Sequence, residues 1–233
     1  MKTLAVRSAP VYSFKMDQME RKQALALESW RALRILSEFV DGVETMSRCA
    51  PGVAVFGSAR LKPEHPSYQQ AEKCGRLLVE KGFTVITGGG PGVMEAANKG
   101  AKEAGGTSVG LNIVLPMEQQ PNPFQTVDIE FRYFFVRKVM FVKYSVAFVI
   151  LPGGFGTMDE LFEALTLIQT HKIKPFPVYL LGKAYWGGLI DWLKNVMVKE
   201  GKISAEELDI LHVVDDQQEI VEGIRAVRRA MDL

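Results

Sequence analysis

The sequence predicts an α/β fold: one doubly wound parallel sheet with an N-terminal amphipathic helical extension. Three observations carry that expectation. Short apolar runs alternate with helix-length amphipathic stretches, residues 146–151 are apolar throughout, as in a strand covered on both faces, and two such runs end in glycine-rich turns. At 233 residues with 47% hydrophobic content the chain can bury one full core. Residues 51–233 are therefore expected to form one Rossmann-like domain, and residues 1–50 an extension to it.

Over residues 17–48, Trp30, Leu33, Leu36, Val40, Val43 and Met46 recur at helical spacing with charges between them. This predicts a long amphipathic helix whose apolar stripe packs on the domain or on a second subunit. The strand expected at 52–56 ends at Gly57, Ser58, Ala59 and Arg60. A crossover helix at 68–81 and a strand at 83–87 complete a βαβ unit. Residues 88–95, reading G-G-G-P-G-V-M-E, then lead into a helix near 96–101; Pro91 suits a first helical turn and the glycines allow a sharp bend.

A strand is expected at 107–113, followed by a segment, 116–126, whose three prolines make it a loop over the site. Residues 127–131 alternate and suit a short strand, leading to a helix at 134–144 that carries Arg137 and Lys138. Strands at 146–151, 177–181 and 211–214 alternate with helices at 158–170, 185–200 and 217–231, which completes the doubly wound pattern.

Charge and cysteine content exclude several classes. Lys plus Arg total 28 against 27 for Asp plus Glu, and the basic residues are scattered, so no nucleic-acid partner is expected. Cys49 and Cys74 lack metal-ligand spacing, and the N-terminal apolar run is too short for a signal peptide or membrane span. The expected setting is cytoplasmic and reduced, with no metal site and no membrane.

The chemistry concentrates where the strand at 146–151 meets the next helix. There the backbone of Gly153, Gly154, Phe155, Gly156 and Thr157 offers free N–H groups at a helix start near Thr157, which favours a phosphate. Glu160, three residues beyond Thr157, shares its helix face. The second glycine turn, with Gly89 and Gly90, is expected to face the first across one crevice beyond the strand ends. Neither turn fits G-x-G-x-x-G, because Glu95 and Asp159 stand where its third glycine would, and no Lys-Ser/Thr pair completes a P-loop. Nicotinamide enzymes and P-loop ATPases are disfavoured.

What does match is P-G-G-x-G-T-x-x-E from Pro152 to Glu160 and G-G-G-x-x-x-M from Gly88 to Met94, with Arg137-Lys138-Val139-Met140 standing for R-K-x-x-M with its methionine one position early. These three ordered motifs resemble the LOG ("lonely guy") family of cytokinin-nucleotide phosphoribohydrolases over roughly residues 50–200. Its members were long labelled possible lysine decarboxylases, but no lysine here stands in a recognisable pyridoxal-phosphate setting. The resemblance implies hydrolysis of the N-glycosidic bond of a purine nucleoside 5′-monophosphate, with or without an N6-modified base, without a cofactor. It implies that residues 153–157 hold the 5′-phosphate and that Glu160 acts as base or electrostatic stabiliser, ionised with the help of the helix dipole. Arg137 would neutralise the leaving base or bind substrate, and Gly89, Gly90, Met94, Glu95 and Lys138 would line the substrate site. Lys138 serves equally well as a structural helix charge, and Asp159 and Glu163 read as acids complementing the helix dipole. A homodimer or larger homo-oligomer is also implied. The competing expectation is a non-catalytic carrier of a nucleotide or phosphorylated cofactor.

Overall fold

The computed structural model describes residues 18–49, 51–115 and 120–230. The expectations made for 1–17, for 116–119 within the loop, and for the end of the last helix at Met231 lie outside the described residues. Seven strands form one sheet: β1 Gly52–Phe56, β2 Thr84–Thr87, β3 Ser108–Ile113, β4 Val127–Phe131, β5 Ser145–Ile150, β6 Val178–Leu181 and β7 Leu211–Val214. Their order is β4-β3-β2-β1-β5-β6-β7, and every pair is parallel. The chain winds outward from β1 to β4, then returns to lay β5 against the other side of β1. The strand order therefore reverses between β1 and β5, the place where doubly wound sheets bind ligands.

The helices are α1 Gln18–Met46, α2 Pro66–Glu80, α3 Val93–Glu103, α4 Phe134–Lys143, α5 Phe155–Gln169, α6 Lys183–Trp192 and α7 Gln217–Ala230. Alternation along the strands divides the core in two. Val53, Val55, Ala147 and Val149 face α2, α3 and α7, while Ala54, Phe56, Phe148 and Ile150 face α1, α4, α5 and α6. Both faces of β1 and β5 are covered, which is why Ser145 at the start of β5 is the one polar side chain in their sequences.

Three boundaries depart from expectation. The helix α5 begins at Phe155 and not near Thr157, because Thr157 and Met158 N–H groups both donate to the Gly154 carbonyl, closing the first turn there at 3.0 Å. The helix expected at 185–200 starts at Lys183 and passes into a π-helical turn, Leu193–Val198. A short 3₁₀ turn, Glu206–Ile210, precedes β7 without any signal having been read for it.

The amphipathic stripe of α1 is also resolved into two faces. Ile35, Phe39, Gly42 and Met46 pack on α4 and the second core, whereas Trp30, Leu33, Leu36, Val40 and Val43 are exposed within this chain. Glu38 on the packed side accepts hydrogen bonds from the N–H groups of Arg132 (3.0 Å) and Tyr133 (3.2 Å). These amides lead into α4, so the extension caps and charges the start of the helix that carries Arg137.

Candidate active site

Three strand ends are stitched together at the reversal of the sheet. The Ser58 N–H donates to the Pro152 carbonyl at 3.0 Å, and the Val93 N–H donates to the Ser58 carbonyl, also at 3.0 Å. The turn after β1 thus ties the β2 turn on one side to the β5 turn on the other. Gly57 and Gly92 permit the approach: a Cβ on Gly57 would lie 2.7 Å from Val93, and one on Gly92, whose φ is +69°, would strike the Ser58 carbonyl.

The turn at Gly153 to Thr157 is open. Gly154, Phe155 and Gly156 are exposed, and a Cβ added at Gly154 or Gly156 would meet nothing within 4 Å. Phe155 is 96% exposed and stands free at the mouth. Thr157 is buried, with its hydroxyl folded against Gly153. Its amide is already used by the Gly154 carbonyl, which leaves its hydroxyl and the amides ahead of it to meet a ligand. One residue that sequence reasoning missed supports this turn. Tyr185, at the start of α6, donates its hydroxyl to the Gly153 carbonyl at 2.6 Å.

Glu160 follows on the inner side of the second turn of α5, only 8% exposed. Burial pushes its carboxyl up to about 7; Lys138 and Arg137 pull it down, and the neighbouring carboxylates Glu163 and Asp159 push it up again. The helix dipole had suggested a fully ionised group. The loss of solvent outweighs it, and the group is poised between forms near neutrality.

Arg137 sits between the two turns. A Cβ on Gly88 would lie 2.5 Å from an Arg137 Nη atom and 2.9 Å from the Met94 sulfur, so the glycine makes room for both. The guanidinium also lies over the Phe141 ring at 5.3 Å. Burial lowers its pKa and the Glu160 charge opposes that shift; a guanidinium remains cationic regardless. Its Nε atom is buried without a hydrogen-bond partner among the described residues, a donor left for a ligand.

Lys138 points to carboxylates: Asp159 at 3.0 Å, Glu160 at 3.6 Å, and Glu163 in a short contact. Burial would lower its pKa, but hydrogen bonds to Glu163 and Asp159 outweigh that and raise it. The arrangement fits its structural reading, with Lys138 holding Glu160 in place. Glu95 lies on the other side of the sheet, where one of its oxygens accepts the Tyr68 hydroxyl at 2.9 Å.

The β2 turn is closed where the β5 turn is open. Gly88, Gly89 and Gly90 are buried, and Gly89 takes φ +73° in a place where a Cβ would collide with Asn112. The Asn122 amide donates to both the Gly89 and the Gly90 carbonyls at 3.0 Å, and Gln125 donates to Gly89 at 2.9 Å. Asn122 also donates to Asn98, which accepts the Thr87 hydroxyl at 2.6 Å and donates to Ser108 at 2.8 Å. The segment expected to be a loop over the site is, in its described part, sewn to the glycine turn. No spacing in the sequence signalled these partners.

Comparison with known proteins gives the following likenesses. Residues 94–224 match the sequence model of a family described as possible lysine decarboxylase. The chain is 32% identical over 170 residues to a cytokinin riboside 5′-monophosphate phosphoribohydrolase of Mycobacterium tuberculosis, covering 70% of this chain and 88% of that one. It is 32% identical over 181 residues to the enzyme of the same name, LOG3, of Arabidopsis thaliana, covering 74% and 80%. Among solved structures, the molybdenum cofactor carrier protein of Chlamydomonas reinhardtii superposes with a TM-score of 0.54 at 25% identity, covering 76% of this chain and 97% of that one.

Proposed function

The chain belongs to the LOG family of phosphoribohydrolases, and on that footing we propose that it hydrolyses a purine nucleoside 5′-monophosphate to free base and ribose 5-phosphate. The observation that carries the reading is the placement of Glu160, buried between Lys138 and Arg137 one helical turn beyond an open glycine corner. The corner and the Thr157 hydroxyl hold the 5′-phosphate, anchoring the ribose far from the bond that breaks. As the bond from the anomeric carbon to the base nitrogen lengthens, positive charge grows on the ribose, and ionised Glu160 stabilises it and takes a proton from the attacking water. Arg137, beside Gly88 and with its Nε unpaired among the described residues, neutralises the charge left on the base. Glu95, with one oxygen not engaged by Tyr68, is assigned to a ribose hydroxyl, and Gly89, Gly90 and Met94 to the wall of the site.

We further read the protein as a cytoplasmic homodimer, with residues 51–233 as the catalytic domain. Among the described residues no helix is long and apolar enough to cross a membrane. The exposed Trp30, Leu33 and Val40 of α1, with Phe134 and Phe135 of α4, supply an apolar surface suited to a second copy. Sedimentation should give a dimer at micromolar concentration, and Leu33→Glu with Val40→Glu should give a monomer. The likeness to a cofactor carrier favours a second reading, binding without turnover. Incubation with AMP and with isopentenyladenosine monophosphate, followed by chromatography for free base, separates the two. Release of base from either establishes the hydrolase. Thermal stabilisation by both with no base released, and with Glu160→Ala indistinguishable from wild type, would leave the carrier.

A further inference from the structure

Lysines that are scattered in the sequence are gathered by the fold. Lys143 of α4 and Lys172 and Lys174 beyond α5 border a cavity of about 490 Å³, beside Lys138, whose charge is already met by Asp159, Glu160 and the lining residue Glu163. Its walls are apolar, formed by Val139, Val142, Leu167, Ile173 and Phe176. Ser145, the first residue of β5, also lines it, and the Ser145 hydroxyl is buried without a hydrogen-bond partner among the described residues. Both Ser145 and Phe176, just ahead of β6, belong to the ends of the strands opposite the glycine turns. The cavity is therefore separate from the crevice described above.

Each feature narrows the occupant. Lys172 and Lys174 are exposed and form no ion pair among the described residues, so their charge is free for a ligand. A buried hydroxyl left unpaired is destabilising, which an acceptor on a ligand would relieve. The apolar walls give little to a bare inorganic ion, and the volume suits a molecule of metabolite size. We propose that this cavity is a binding site for a small organic anion, one carboxylate, sulfonate or phosphate group on an aromatic or branched apolar body. Lys138 and Glu163 belong both to its wall and to the cluster around Glu160, so the occupant sits one ion pair away from that carboxylate.

The test uses 8-anilinonaphthalene-1-sulfonate as probe, titrated by fluorescence into the full chain. Saturable binding of one molecule per chain is expected, unaffected by saturating AMP. The double variant Lys172→Glu, Lys174→Glu, at two exposed positions, should weaken it by about tenfold or more, as should replacing the probe by uncharged N-phenyl-1-naphthylamine. Displacement by AMP would place the probe in the crevice and overturn the proposal. Equal binding by the double variant, or by the uncharged probe, would reduce the signal to adsorption on apolar surface and overturn it as well. A signal per chain that falls as protein concentration rises would mean that a second copy of the chain covers the cavity, with the same consequence.

Discussion

The two glycine turns look alike in sequence and are built for opposite tasks. Gly88 to Gly90 lie buried, held through their carbonyls by Asn122 and Gln125, in a frame that continues through Asn98 to Thr87 and Ser108. Gly153 to Gly156 are held from outside by one hydroxyl, that of Tyr185, and two of the three glycines border open space. A turn with two carbonyls, those of Gly89 and Gly90, engaged by side chains is held firmly but has less left to offer a ligand. A turn with free amides binds an anion and depends on that anion for much of its order. On the function proposed above the molecule separates stability from chemistry across β1, and the two sides should respond differently to substitution.

The largest effect is expected on the open side. Glu160→Gln keeps the shape of the side chain and removes its charge, and should lower kcat by about a thousandfold while leaving nucleotide binding within a few-fold. Its stability should move the other way. The wild-type carboxyl titrates at about 7 in the folded protein against an ordinary 4.5. Its contribution is therefore fully present below pH 4.5 and is lost as pH rises through 7, by roughly 3 kcal/mol. The glutamine variant lacks that loss, so thermal denaturation should show it gaining on wild type between pH 4.5 and 8. In wild type, kcat/KM should fall about tenfold per pH unit below 7 and level off above it. A profile flat down to pH 5 would mean that Glu160 is not the group whose ionised form does the work.

On the closed side the expected effect is unfolding. Asn122→Leu removes a donor shared by two buried carbonyls and Asn98, and Gly89→Ala forces a side chain into φ +73° against Asn112. Each should cost roughly 2–4 kcal/mol in chemical denaturation. Where enough folded protein remains, KM should stay close to wild type. A large rise in KM without loss of stability would show that this turn grips the substrate directly and does more than wall the site.

What the sequence made legible follows the same division. Strand ends, glycines and Glu160 lie close together along the chain, so both turns, all seven strands and the helix carrying Arg137 could be read from local pattern. Asn122 reaches back to Gly89 and Gly90, and Tyr185 reaches back to Gly153, through contacts for which no spacing rule exists. The ionisation of Glu160 was misjudged for a related reason: the helix dipole can be read from position, whereas burial arises from tertiary packing. The start of α5 was placed too late because Gly154 and Gly156 read as turn, while the Gly154 carbonyl already accepts two helical hydrogen bonds. The stripe on α1 read as one surface, yet the face that caps α4 through Glu38 and the face that stays exposed lie side by side.

A smaller effect sharpens the contrast at a single methyl group. Gly154 has φ −96° and ψ −156°, which alanine adopts, and its Cβ would meet nothing within 4 Å. Gly154→Ala should leave the melting temperature unchanged or slightly higher, since alanine restricts the unfolded chain. The methyl would project into the space assigned to the phosphate, and KM for the nucleotide should rise about tenfold. An unchanged KM would remove this corner as the phosphate seat while leaving the fold untouched.

The smallest effect is at Tyr185, where two roles can be told apart. Among the described residues its hydroxyl is the one side-chain group from outside the open turn that hydrogen-bonds to it, and its ring packs edge-on against Trp186 at 4.9 Å. Tyr185→Phe keeps the ring contact and removes the hydroxyl alone. Because a hydrogen bond at a half-exposed position contributes on the order of 1 kcal/mol, the melting temperature should move by no more than a few degrees. If the hydroxyl orients the Gly153 peptide for the phosphate, KM should rise about threefold to fivefold with kcat unchanged, and inorganic phosphate should lose affinity as an inhibitor by the same factor. If it only anchors α6, stability should fall and both kinetic constants should stay where they were. The ratio of those two changes measures how far the open turn relies on its own protein, and how far on the ligand, for its shape.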